Sequence, residues 1–309
     1  MAKYLVRRLG QTVVSLLGIL TIVFFVVRLA TDPAALYAAD STSPAEYDQI
    51  RKDLALDQPL PEQYVRYLGA AARGDFGESW RFHRPALQVV LERLPATLKL
   101  AGTAFAISAA FGLVFGVVAA TRRGALPDRV VRIVAVVGQA MPTFWLGLLL
   151  IMLFSVQLRW LPSGGDGGLT HLLLPAVTLS GFSIAAITRI TRSALLDTIR
   201  QDYVRTAWAK GLGGRSVLLR HSLRNAWIPI LTLMGLQFAA LLQGSVVTEQ
   251  VFSWPGIGSL VVSSIEFRDF PIVQAVVVVG ASFYLLINLA VDVCYGFVDP
   301  RVRTGLWQG

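Results

Sequence analysis

Cysteine is almost missing from this chain: its 309 residues hold one, Cys294, inside an apolar run, so no intrachain disulfide can form. Histidine is nearly as scarce. His83, His171 and His221 stand far apart, and no Cys/His ligand set for structural zinc exists. A serine-type intramembrane hydrolase needs a Ser–His pair at membrane depth, but all three His fall outside the long apolar segments, and no H-E-x-x-H occurs. Lysine appears four times, as Lys3, Lys52, Lys99 and Lys210, never after the glycine pattern of a phosphate-cradling G-x-x-x-x-G-K-[ST] loop. The chain therefore lacks a P-loop for ATP, and no catalytic residue or metal ligand set is assigned. Charge is sparse as well, at 15% of residues against about a quarter in soluble domains. An ion-coupled secondary transporter is the different-class alternative, but it commonly shows internal repeats and needs intramembrane ionisable groups. Neither a repeat nor a carboxylate near the centre of an apolar segment is found; Glu249 and Asp292 fall near segment ends.

What is abundant is hydrophobic residue, 54% of the chain. Crossing ~30 Å of hydrocarbon takes about 20 predominantly apolar residues. Six segments qualify: Leu9–Leu29, Thr97–Ala120, Val131–Leu158, Leu172–Ile190, Ile228–Val247 and Val273–Phe297. Backbone polar groups in lipid must be satisfied within a segment, so these are expected as helices of an all-α polytopic membrane protein. The fourth is the weakest, diluted by Pro175, Gly181 and Ser183. Pro142 can kink the third, and Gly112, Gly116, Gly235 and Gly244 allow close helix packing or hinge-like motion. The N-terminal Lys3, Arg7 and Arg8 precede an apolar run that is long for a signal peptide, with no prompt small-x-small cleavage site. It reads as an uncleaved first span.

The formal charge is +9, and 24 of the 28 basic residues are Arg. With the N-terminus inside, 17 of the 28 fall on the cytoplasmic side, whereas the short external loops Arg159–His171 and Thr248–Ile272 hold only Arg159 and Arg268. The positive-inside rule accounts for this distribution, so lipid bilayer rather than nucleic acid is the expected partner of the charge. Both termini are expected in the cytoplasm. The chain then divides into a first span (1–30), an extracytoplasmic segment (31–96) and a membrane domain (97–309). In the external segment Ser43, Pro44 and Glu46 form a capping-box start for a short helix, which Pro59 and Pro61 end. Tyr64–Ala72 reads as a further helical turn or two, followed by the glycine-punctuated turn Gly74–Ser79.

Polar residues in or near the spans include Gln139, Thr143, Gln237, Gln243, Asn288 and Asp292. Such residues face a bundle interior, either as interhelical glue or along a path. Gln139, Thr143, Gln237 and Gln243 are the candidates for a translocation path.

The most specific stretch lies in the basic loop 193–226. Tyr203-Val204-Arg205-Thr206-Ala207-Trp208-Ala209-Lys210-Gly211-Leu212 can form a short helix with Tyr203, Ala207 and Lys210 near one face. The small Ala207 and Ala209 would permit close approach to a partner groove. Gly211, with Gly213 and Gly214, would end the helix. Arg215–Asn225, including Arg220 and His221, follows as a second basic helix entering the fifth span. On residues alone two readings stand: a docking element for a partner, or an amphipathic surface on anionic lipid.

This loop resembles the "EAA" loop of ABC importer membrane subunits, in the form found in the dipeptide/oligopeptide (and nickel) permease family. Arg205 stands where the general motif has Glu, and Thr206 where it has Ala. Other stretches resemble the same family in order along the chain: Gly74–Ser79, Glu92–Leu98, Leu161–Gly165 with His171–Pro175, Glu249–Gly258 and Asp299–Arg303. The resemblance implies a type I importer fold, a peripheral first helix plus a five-helix core, in a bacterial or archaeal cell membrane. It implies a permease subunit forming half of a path for peptides, with nickel chelates, glutathione or another small solute as alternatives. Implied partners are a second homologous permease, one or two ATPase chains that bind ATP and Mg, and an extracytoplasmic substrate-binding protein. This chain would bind no cofactor itself.

Overall fold

The computed structural model describes residues 2–30, 34, 43–53 and 56–298. The Asp299–Arg303 element and the side chains of Asp292 and Cys294 lie outside that description. In chain order the helices are α1 (Ala2–Ala30), α2 (Pro44–Asp53), α3 (Leu60–Ala72), α4 (Ala86–Thr121), α5 (Leu126–Ala140), α6 (Thr143–Gln157), α7 (Leu169–Ile199), α8 (Asp202–Ala209), α9 (Gly214–Val251), α10 (Ile257–Glu266) and α11 (Phe270–Val298). Between α3 and α4 two short antiparallel strands, β1 (Glu78–Ser79) and β2 (Arg84–Pro85), pair in a hairpin. Among the described residues five helical stretches are long and apolar enough to cross a bilayer: Leu9–Arg28, α4, α7, α9 and Phe270–Ala290.

The expected third span is not one straight helix. The chain bends by 107° between α5 and α6. Proline lacks the N–H for a helical bond, and it drives the residue before it out of the helical region. Met141 is accordingly extended (φ −78°, ψ 126°), and Pro142 continues that conformation (φ −60°, ψ 133°). Two successive extended residues turn what reads as a kink into a break. Each half rises only about 22 Å, short of a ~30 Å hydrocarbon core.

The described residues group into two compact units: 94–259 with 287–298, and 2–93 with 260–286. In the first, α5, α6 and α9 all lie against α7. Leu100 and Ala104 of α4, Leu172, Ala176 and Leu179 of α7, Leu241 of α9 and Trp254 form one buried cluster. Ala120, Ala194, Leu195, Ala226 and Ile230 form another. Glycine lets α4 approach α7: a Cβ at Gly112 would sit 2.7 Å from Cβ of Ile187, and one at Gly116 would collide with Thr191 and the Thr188 carbonyl. Gly116→Leu is therefore expected to destabilise the protein by about 1–3 kcal/mol, the usual cost of overpacking. Thermal unfolding of the purified chain would read this, with Gly102→Leu, where a Cβ meets nothing within 4 Å, as the tolerated control.

The segment after α9 closes on a buried carboxylate. Glu249 is fully buried; its Oε1 accepts from Thr97 Oγ1 (2.7 Å) and its Oε2 from the Ser259 amide (2.9 Å). Thr97 Oγ1 in turn accepts from the Ile257 amide (2.8 Å), and Trp254 Nε1 donates to the Ala96 carbonyl (3.0 Å). A side chain at Gly256 or Gly258 would run into the Glu249 carboxylate. The Glu249–Gly258 sequence element is thus a knot that ties the end of α9 to α4.

In the second unit the capping box forms as expected. The Ser43 amide donates to Glu46 Oε2 (2.8 Å) and the Glu46 amide to Ser43 Oγ (3.3 Å). The Ser43 amide holds the Glu46 carboxyl below its usual range. Phe24 of α1 stacks edge-on against Tyr64 of α3, 5.2 Å between centroids, and the Arg28 guanidinium lies 3.8 Å from the Phe24 ring. Burial pushes the Tyr67 phenol up to about 12. The Gly74–Ser79 turn has both glycines left-handed, at φ 75° and 87°. Its serine is fully buried: Ser79 Oγ donates to Asp269 Oδ2 (2.5 Å) and accepts from the Phe82 amide (3.1 Å).

Candidate functional site

The loop between α7 and α9 folds as a short helix seated on the base of a long one. α8 begins after Gln201, which is extended. It ends in a Schellman arrangement: the Leu212 amide donates to the Ala207 carbonyl (3.4 Å) and the Gly211 amide to the Trp208 carbonyl (2.9 Å). Gly211 is left-handed at φ 75°, the conformation that favours glycine. Of the three glycines expected to stop the helix, only this one does so. Gly213 (φ −64°) instead starts α9, its carbonyl accepting from the Ser216 and Val217 amides at 2.9 and 3.1 Å.

Val204 and Ala207, three residues apart, share one face of α8 and are buried against Val217 of α9. Tyr203, Ala207 and Lys210 therefore do not form a common outward face. Ala207, expected to meet a partner, is only 4% exposed and meets its own chain. The outward face carries Arg205, Thr206 and Ala209, flanked by Tyr203 and Lys210. Arg205 makes a long, exposed contact with Asp202 (3.7 Å) and otherwise points its charge to solvent. Leu212 is also exposed. Arg220 (exposed) and His221 (half-buried) fall on a π-helical stretch of α9, Val217–Ser222. Among the described residues no hydrogen bond joins either to α8.

A charged latch, unread in the sequence, lies in the same unit. Asp128 at the start of α5 is 1% exposed and accepts a two-pronged contact from Arg192 of α7, Nε to Oδ1 at 2.8 Å and the second prong to Oδ2 at 3.1 Å. The Gly124 amide adds a bond to Oδ2 (2.9 Å), and Arg132 stands 3.4 Å from Oδ1. The partners are 64 residues apart in sequence, so only the fold reveals them.

The four candidate path residues are not gathered into one site. Gln139 and Thr143 are half-buried on either side of the Met141–Pro142 break, Gln237 is buried in α9, and Gln243 is exposed on it. No hydrogen bond links them among the described residues.

The unit is thus a many-helix membrane domain that carries a short helix, one face buried and the other exposed, between two of its long helices. Comparison with known proteins sharpens this. Residues 112–304 match the family described as binding-protein-dependent transport system inner membrane component. Residues 1–101 match the N-terminal region of binding-protein-dependent transport system membrane components. The glutathione transport system permease protein GsiC of Escherichia coli is 42% identical over 304 residues, covering 98% of this chain and 99% of that protein. GsiC of Pectobacterium atrosepticum matches to the same extent. Among solved structures, the inward-facing MetNI methionine ABC transporter aligns with TM-score 0.57 and 18% identity, over 69% of this chain and 97% of that one. An amino acid ABC transporter aligns with TM-score 0.55 and 16% identity, over 67% and 93%. The chain belongs to the binding-protein-dependent inner-membrane component family: it is a permease subunit of an ABC importer, with the type I importer fold. It is accordingly a multi-pass protein of the inner membrane.

Proposed function

We propose that this permease forms half of a path for small peptides, glutathione included, delivered by an extracytoplasmic binding protein and driven by separate ATPase chains that dock on α8. A second, homologous permease supplies the other half. The observation that carries the reading is the two-sidedness of α8: Arg205, Thr206 and Ala209 face outward, while Val204 and Ala207 grip Val217 at the base of α9. Push on the outer face is then handed to a 38-residue helix. ATP and Mg bind on the partner, since this sequence has no P-loop. The 42% identity to glutathione permeases supports testing glutathione first. Uptake of labelled glutathione and labelled dipeptides should be compared in cells with and without the gene. Loss of either uptake on deletion supports the peptide class; loss of neither overturns it.

Both termini and α8 are placed in the cytoplasm, on the arginine asymmetry. Ser79 is too buried to report on this by labelling, but its neighbour Glu78 and the loop residue Arg122 are exposed. In a Cys294→Ser background, Glu78→Cys should react with a membrane-impermeant maleimide in intact cells, and Arg122→Cys only after permeabilisation. The reverse pattern overturns the topology.

A further inference from the structure

We propose that α8, with the adjoining ends of α4, α7 and α9, encloses a binding site for one anionic phospholipid. A cavity of about 670 Å³ opens there, within the ~300–1,000 Å³ of built small-molecule sites. Leu196, Ile199, Val204, Val217 and Leu218 give it apolar walls. Arg123, Arg200 and Arg215 also line it, and no Asp or Glu does. All three guanidiniums are exposed, and none is in an ion pair among the described residues. Ser222, a further wall residue, is fully buried, and among the described residues its hydroxyl has no hydrogen-bond partner.

The two halves of this lining ask for two different things. A soluble anion would satisfy the arginines and leave the apolar walls wet. A neutral lipid would fill the walls and leave three guanidiniums unmatched. A phospholipid with net negative charge satisfies both, its acyl chain along Leu196 and Leu218 and its phosphate on the arginine forks. The place is right too: the cavity lies beside the ends of α4 and α7 and the start of α9, helices long and apolar enough to cross a bilayer. Val204 and Val217 belong to both the cavity wall and the seat of α8, so a bound lipid would brace the helix that transmits force. The inference goes beyond transport itself, and rests on the proposed topology only for which leaflet supplies the lipid.

The test is photolabelling of the full-length chain in phosphatidylcholine nanodiscs, using a phosphatidylglycerol or a phosphatidylcholine probe with a diazirine on its acyl chain. The expected result is saturable labelling by the phosphatidylglycerol probe at 196–199 and 217–218, at least about tenfold above the phosphatidylcholine probe. Each single substitution Arg123→Gln, Arg200→Gln or Arg215→Gln should weaken it about fivefold, and the triple variant about a hundredfold, as expected for interfacial basic residues. These side chains are exposed, so the variants should fold. Leu196→Trp, which fills the cavity without changing charge, should also abolish the labelling. Equal labelling by the two probes overturns the proposal, as does labelling spread evenly over α1 and α11, or an unaffected triple variant. Failure of the topology is read separately, by the maleimide reaction at residues 78 and 122.

Discussion

Ala207→Glu is expected to abolish uptake while the protein still inserts in the membrane. The cause differs from what the loop sequence alone suggests. Ala207 does not face a partner; it packs with Val204 against Val217. A carboxylate there is pressed into the apolar seat between Val204 and Val217, at a cost on the order of several kcal/mol, and α8 must leave its seat. The outward face is then lost with it. Uptake should fall at least about a hundredfold, and any ATPase that copurifies with the wild-type chain should be lost or no longer stimulated by substrate. Ala209→Glu separates seat from surface, because Ala209 is exposed. It should leave α8 folded, as judged by unchanged protease resistance of the loop, yet still impair docking. If Ala207→Glu transports like wild type, α8 does not transmit force.

Arg192→Leu is expected to be the most damaging single change in the α5–α7 contact. It leaves Asp128, 1% exposed, with only the more distant Arg132 as counter-charge. Breaking one side of a buried pair typically costs ~3–5 kcal/mol, whereas replacing both partners with apolar residues is often neutral. The double variant Asp128→Leu with Arg192→Leu should therefore recover most of the stability that Arg192→Leu loses. Thermal unfolding of the detergent-purified single and double variants checks this. A double variant no more stable than Arg192→Leu would mean that the pair is needed for more than charge balance.

Much of the architecture was legible in sequence because it rests on local rules. The long apolar stretches, the Ser43–Glu46 cap and the stop at Gly211 depend on composition, a three-residue spacing and one glycine. What escaped depends on contacts distant in sequence or on a cooperative backbone choice. Pro142 announces a kink, but the break arises because Met141 becomes extended as well, and an unbroken apolar run conceals that. Which face of α8 is inner is decided by Val217, outside the helix. Asp128 drew no reading in the sequence, because its partner Arg192 lies 64 residues away. Ser79, read as a turn residue, proves to be a buried donor to Asp269. The proposed path residues shared polarity in apolar runs, and polarity alone does not say which helix faces meet.

The outer face of α8 is the place to test the account most directly. In a Cys294→Ser background, Ala209→Cys should be carried on the full chain purified from native membranes with its copurifying subunits and treated with a short thiol-to-amine crosslinker. Docking predicts one dominant crosslinked product, containing this chain and an ATP-binding subunit, with a yield that changes when ATP is added. A cysteine at position 209 that yields no such product, while reacting readily with a lipid-borne thiol reagent, would contradict the account and place α8 on the membrane surface instead.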